Sequence, residues 1–216
     1  MSRAAGVLAA VALVARAAAA QQVTVTVGPQ FALESYTEVG AALQYQGVGV
    51  GGGLTARAGR FSGDAVVTRA TLNPTSGNSS LQSFKATQVD VWVAYDVAPY
   101  ASVEVGITHR SIAPDFAAQS VGAVRVGARA FSDLGPGATL AFHADYLAAP
   151  QFSGGGRAPI SLDLGFTLDV RLAGRLHGTA AYAFQRVDRK TNPGSTGEID
   201  APIQESLGRL GLALAF

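Results

Sequence analysis

His143 and Asp145 stand two residues apart, and Ser161 lies one apolar-polar segment further along the chain. A hydroxyl, an imidazole and a carboxylate are the parts that activate a serine nucleophile, so this trio is the chain's candidate for covalent chemistry. Two-residue spacing on an extended chain also makes His143 and Asp145 same-face neighbours that need only hydrogen-bond to each other. The plainer reading is preferred, and no catalytic residue is expected. His109 and His177 are dispersed, which argues against a histidine-based metal site. The lack of cysteine removes thiolate nucleophiles, disulfides and cysteine-ligated zinc. Gly49-Val50-Gly51-Gly52-Gly53 has the glycine density of a phosphate-binding loop, but no helix and no Lys-Ser/Thr pair follows to complete one. These glycines are assigned to a turn or kink, and no cofactor is expected.

The remaining chemistry-bearing residues are charges that recur at alternate positions. Arg57, Arg69, Arg110, Arg125, Arg129, Arg171 and Arg209 are set against Asp90, Asp96, Glu104, Asp145, Asp163 and Asp169. The elements that carry them read with a period of two. In residues 86–97, Val89, Val91, Val93 and Tyr95 oppose Gln88, Asp90, Trp92 and Asp96. In residues 161–171, Leu162, Leu164, Phe166, Leu168 and Val170 oppose Asp163, Thr167, Asp169 and Arg171. Strict alternation of this kind predicts strands. The same pattern covers residues 101–110, 122–130, 139–147, 176–185 and 206–216, and no helical period of comparable length follows the first twenty residues.

Connection lengths predict how the strands are arranged. Short Gly/Pro/Asp turns at residues 96–99, 133–137 and 173–174 alternate with long polar links at residues 73–83, 113–119, 150–159 and 189–202. Short turns at one end and long loops at the other are the layout of a transmembrane β-barrel. Counting back from Phe216 gives eight strands from about Ala65. Residues 39–45 and 54–58 add two more, separated by the glycine-rich segment, with a turn near Ser62-Gly63-Asp64. Ten antiparallel up-and-down strands are expected, with eight as the alternative. Residues 23–27 fit either a strand or a lead-in. Composition agrees with a barrel: 14% charged residues is low for a soluble domain, whereas 48% hydrophobic residues is ordinary.

Residues 1–20 read as a secretory signal peptide, with Arg3, an apolar run from Ala4 to Val14, and Ala18-Ala19-Ala20 before Gln21. Residues 21–216 then form the barrel. Tyr36, Tyr45, Tyr95, Tyr100, Tyr146, Tyr182, Phe184 and Phe216 are expected in the two aromatic girdles. The chain has two lysines, no basic stripe and a net charge of +1, so nucleic acid is excluded as a partner.

The export signal, the strands of about ten residues and the ending Leu210-Gly211-Leu212-Ala213-Leu214-Ala215-Phe216 resemble a small bacterial outer-membrane β-barrel protein. The resemblance implies an outer-membrane location and lipid around a monomer. It also implies that a terminal Phe216 is read by the barrel-assembly machinery. It names no activity. The inward charges, seven basic against six acidic, are expected to pair and fill a narrow lumen. Ala123, Gly127, Gly165, Ala181 and Ala183 leave a narrow passive pore open as a second reading. Surface binding or adhesion through loops 73–83 and 189–202 is the alternative, and a lipid-modifying enzyme a third.

Overall fold

A computed structural model describes residues 23–75, 81–192 and 194–216. The signal-peptide reading of residues 1–20 lies outside them. Ten strands follow in order: β1 Val23–Glu38, β2 Leu43–Ala58, β3 Phe61–Pro74, β4 Phe84–Ala98, β5 Ala101–Ala113, β6 Val121–Gly135, β7 Ala138–Phe152, β8 Ser161–Ala173, β9 Leu176–Thr191 and β10 Ile199–Ala215. Each pairs antiparallel with its sequence neighbours, and β1 pairs with β10, so the sheet closes into an up-and-down barrel. Closure leaves no strand edge, as a sheet in hydrocarbon requires, because an unpaired N–H or C=O there costs several kcal/mol. No helix among the described residues is long and apolar enough to cross a membrane.

Residues 23–27 belong to β1 and close the seam. The Phe216 N–H donates to the Val25 carbonyl at 2.8 Å, and the Val25 N–H donates to the Phe216 carbonyl at 3.2 Å. The start of β1, the end of β10 and the turns at residues 59–60, 99–100, 136–137 and 174–175 share one end, the turn end. The longer connections share the other, the loop end.

The expected link at residues 189–202 shrinks to residues 192–198, because β9 runs to Thr191 and β10 starts at Ile199, and two turns lie elsewhere than expected. Gly47 to Gly53 is no turn but the middle of β2, paired along its length with β1 and β3, and the real turn lies at residues 39–42. The break before β3 falls at Gly59-Arg60, with Gly59 in the left-handed region at φ 58°, and Ser62 and Asp64 lie inside β3.

The outer face is an apolar band. Val23, Phe31, Leu33, Val50, Leu54, Val91, Val105, Ile107, Phe142, Leu164, Leu210 and Leu212 are all exposed there. Phe61 and Tyr95 touch at 5.0 Å between centroids, and Phe142, Phe166 and Tyr182 form a row across β7, β8 and β9. Tyr36 and Tyr45, expected in a girdle, are instead fully buried inside the barrel. At Ala149 (φ 48°) an extra residue bulges from β7 opposite Ala123, which reverses the alternation so that Leu147 and Phe152 both point inward.

Candidate functional site

The lumen is built in three layers. At the loop end, Tyr36 from β1, Tyr45 from β2 and Phe84 from β4 converge on Phe116, from the β5–β6 connection. Their ring centroids lie 4.9 to 6.4 Å apart, mostly edge to face. Leu72, Ile112, Phe152, Val187 and Ile203 complete this apolar cluster. Phe116 enters it because its connection folds inward. Phe116 has φ 61°, a short 3-10 turn follows at Ala117–Gln119, and Ser120 Oγ accepts the Ile112 N–H at 2.9 Å. Gln119 Nε2 donates to Glu38 at 3.0 Å, and the carbonyls of Ala118 and Ser120 accept N–H groups from Gly154 and Ser153. The connection read as a polar link is therefore a lid, and a lone large apolar residue within it was the available signal.

Beneath the aromatic layer lies the charged one. Arg110 on β5 reaches across to Glu34 on β1 and Glu205 on β10, with its guanidinium 5.1 Å from the Tyr36 ring centre. Arg125 on β6 pairs with Asp145 and lies 3.7 Å from Asp90 and 3.6 Å from Asp163. Arg129 meets Glu104 at 2.8 Å and Asp64 at 3.6 Å. The Trp92 ring lies 4.9 Å from Arg125 and 5.5 Å from Arg129, a cation–π contact with each. Arg209 lines the same space beside Asp90 and Asp163. Nearer the turn end Arg57 pairs with Asp96, and Asp169 accepts a hydrogen bond from His177 Nδ1 at 2.7 Å. Arg171 is exposed at the turn-end rim, with no ion pair among the described residues.

Arg69 is not in the lumen. On β3 the inward positions are Asp64, Val66, Thr68, Ala70 and Leu72, so Arg69 points out with Val67. The inward face of the strand's loop-end half, Ala70 and Leu72, is apolar because it abuts the aromatic layer, and an apolar face there does not mean lipid. Glu34, Asp64 and Glu205 belong to the charged layer without having been expected there, whereas Trp92 lies on the inward face that the alternation gave it. Glu34 lay between the open residues 23–27 and the expected strand 39–45, Asp64 in a supposed turn, and Glu205 one residue before the expected last strand. With them included the charges do not balance: Glu34, Asp64, Asp90, Asp96, Glu104, Asp145, Asp163 and Glu205 outnumber Arg57, Arg110, Arg125, Arg129 and Arg209.

The serine trio does not assemble. His143 lies opposite Gly165 and bonds Asp163 at 3.3 Å, whereas the buried Ser161 lies opposite Val187 of β9, two inward positions beyond Gly165 and about 13 Å further along the barrel. His143, Asp145 and Asp163 bring ligand atoms within 4.8 Å of one another. The Arg125 guanidinium already supplies a positive charge against these carboxylates.

The third layer is a cavity of about 450 Å³ in the turn-end half, bounded above by the charged layer. Thr24, Thr26, Thr55, Thr139, Thr167 and Thr179 give it hydroxyls, and Arg57 and Asp169 stand partly exposed at its mouth.

No family model and no curated protein matches the chain. Solved structures do resemble it. The outer membrane protease OmpT from Escherichia coli aligns over 90% of this chain and 96% of its own, at 8% identity and a TM-score of 0.50. The translocator domain of the autotransporter NalP from Neisseria meningitidis aligns over 99% and 96%, at 14% identity and 0.46. The neisserial surface protein NspA aligns over 89% and 97%, at 13% identity and 0.44. At such identity the likeness to OmpT is one of fold. Taken with the closed ten-stranded sheet and its exposed apolar band, it gives this chain the fold of a small outer-membrane β-barrel protein.

Proposed function

We propose that this is a structural, non-conducting barrel whose lumen is stoppered from within. The observation that carries the reading is Arg110, which bridges from β5 to Glu34 and Glu205 on the facing wall directly under the Tyr36–Tyr45–Phe84–Phe116 layer. A passive pore needs a continuous water path. Here a solute would have to separate buried ion pairs and then an apolar plug, each worth several kcal/mol. Among the described residues the lumen offers no assembled nucleophile, which speaks against the lipid-modifying reading. The barrel is read as a monomer surrounded by lipid, its terminal Phe216 serving the assembly machinery during biogenesis.

Conductance across a planar bilayer is the test. The unmodified protein should give no steady current, and Arg110→Ala combined with Phe116→Ala should give one. A stable open channel in the unmodified protein would overturn the stopper.

A second reading, surface binding, draws support from one place. The β9–β10 tip holds a preformed shape, with Lys190 bonding Glu198 at 3.0 Å and Asp200 at 2.8 Å, and Gly194 N–H donating to Glu198 at 2.7 Å. Loop 73–83 lies partly outside the described residues. Replacing residues 192–198 by a two-residue turn should leave the barrel folded. A loss of cell-surface adhesion in that variant would favour this reading.

A further inference from the structure

Arg69 and Lys85 stand on the outside of the barrel, at the loop-end edge of the apolar band. The pairing sets them on adjoining strands: Arg69 lies beside Thr87, which lies beside Ser111, and in the next row Thr71 lies beside Lys85. The two cations are therefore diagonal neighbours, about 7–8 Å apart at the backbone and within joint reach of one small anion. A groove of about 440 Å³ runs between them, lined also by Ser83, and its lining contains no carboxylate. One row toward the turn end the outer surface becomes Val67 and Val89, both exposed to lipid.

The contrast with the barrel's other outward cations at this level is specific. Arg186 has Asp188 at 2.8 Å, and Lys190 has Glu198 and Asp200. Arg69 and Lys85 have no ion pair among the described residues, and Ser76, Gly77, Asn78, Ser79 and Ser80 of the adjoining loop add no carboxylate to the sequence. Two unneutralised charges beside hydroxyl donors, where hydrocarbon gives way to headgroups, form a receptor for a tetrahedral oxyanion.

We propose that this groove binds the phosphate group of a lipid in the leaflet at the loop end, with the acyl chains lying along Val67 and Val89. The guanidinium and ammonium would hold the phosphate oxygens, and Thr87 and Ser111 would donate hydroxyl hydrogen bonds.

Native mass spectrometry of the full barrel in detergent tests it, with lipid A, chemically dephosphorylated lipid A and inorganic phosphate as probes. Lipid A should bind the unmodified protein at least about tenfold more tightly than the dephosphorylated form, in line with two charged contacts. Arg69→Ala with Lys85→Ala should lose a similar factor, whereas Arg186→Ala should not, and the unheated gel mobility of each variant reports folding. Equal binding of the two lipid forms would overturn the proposal, and that comparison needs no variant. Full-strength binding to the double variant would also overturn it. Displacement of lipid A by millimolar inorganic phosphate would make the groove a site for free phosphate and defeat the lipid assignment.

Discussion

Arg110 and Glu205 meet in the middle of the barrel although their strands, β5 and β10, stand on opposite walls and share no backbone hydrogen bond. Glu34 holds the same guanidinium from the neighbouring strand. Three side chains thus tie the walls together at one buried point, where charges are tolerated only because each meets its opposite.

Removing the cation alone should be costly. Arg110→Ala leaves Glu34 and Glu205 facing each other without a counter-charge, and a loss of about 3–5 kcal/mol is expected in urea unfolding from lipid vesicles. Arg110→Met with Glu34→Gln and Glu205→Gln removes the charges together and should recover most of that loss. If the single and triple variants unfold at the same urea concentration, the pairing is not what stabilises this layer.

Trp92 is the chain's one tryptophan, so its fluorescence reports the lumen directly. It lies on the inward face of β4, within 5.5 Å of two guanidinium groups. Lipids brominated along their acyl chains should therefore leave its emission nearly unchanged, while Arg125→Leu with Arg129→Leu should shift it. Strong quenching by the brominated lipids would mean that β4 is turned the other way.

The β9–β10 tip should respond to acid. The Gly194 N–H and the Lys190 ammonium hold Glu198 below the ordinary carboxylate range. A depressed folded-state value means that the stabilisation is present above the unfolded value and is lost as pH falls through the folded one. Amide exchange at Gly194 should be slow at neutral pH and quicken, beyond its intrinsic pH trend, once pH drops below the usual carboxylate range. Glu198→Gln should flatten that response. An unchanged profile in the variant would sever Glu198 from the protection.

Deleting Phe216 separates packing from recognition. The ring's burial in lipid is worth about 1.5–3 kcal/mol, and the deletion also disturbs the Val25 pairing at the seam. Refolding into detergent should survive, because the rest of the β1–β10 ladder remains. The amount reaching the outer membrane in cells should fall sharply if the residue is an assembly signal, and normal levels would leave it a girdle residue only.

Alternation made most of the barrel legible. Val89 and Asp90, or Leu162 and Asp163, fall on opposite faces in any register, so strand identity and facing followed from residue type. The pattern failed where the two solvents of the barrel are alike. Leu72, Tyr36 and Tyr45 face an interior that is apolar at its loop end, and nothing in a period of two distinguishes that interior from lipid. It failed again at Gly47, Gly49, Gly51 and Gly53, because a strand face without side chains has no pattern and looks like a turn. Which charges would meet was also hidden. Arg125 finds Asp145 on the adjacent strand, a local relation, but Arg110 finds Glu205 only once the circumference is known.

The cavity in the turn-end half has a mouth and, in the proposed stoppered barrel, no exit. A blind well of this kind fills and empties through one opening, so the water and small ions inside it equilibrate with the compartment at the turn end alone. A concentration difference or voltage across the membrane then drives no net flow through it. The occupancy of its threonine-lined wall registers the composition of one side and is indifferent to the other.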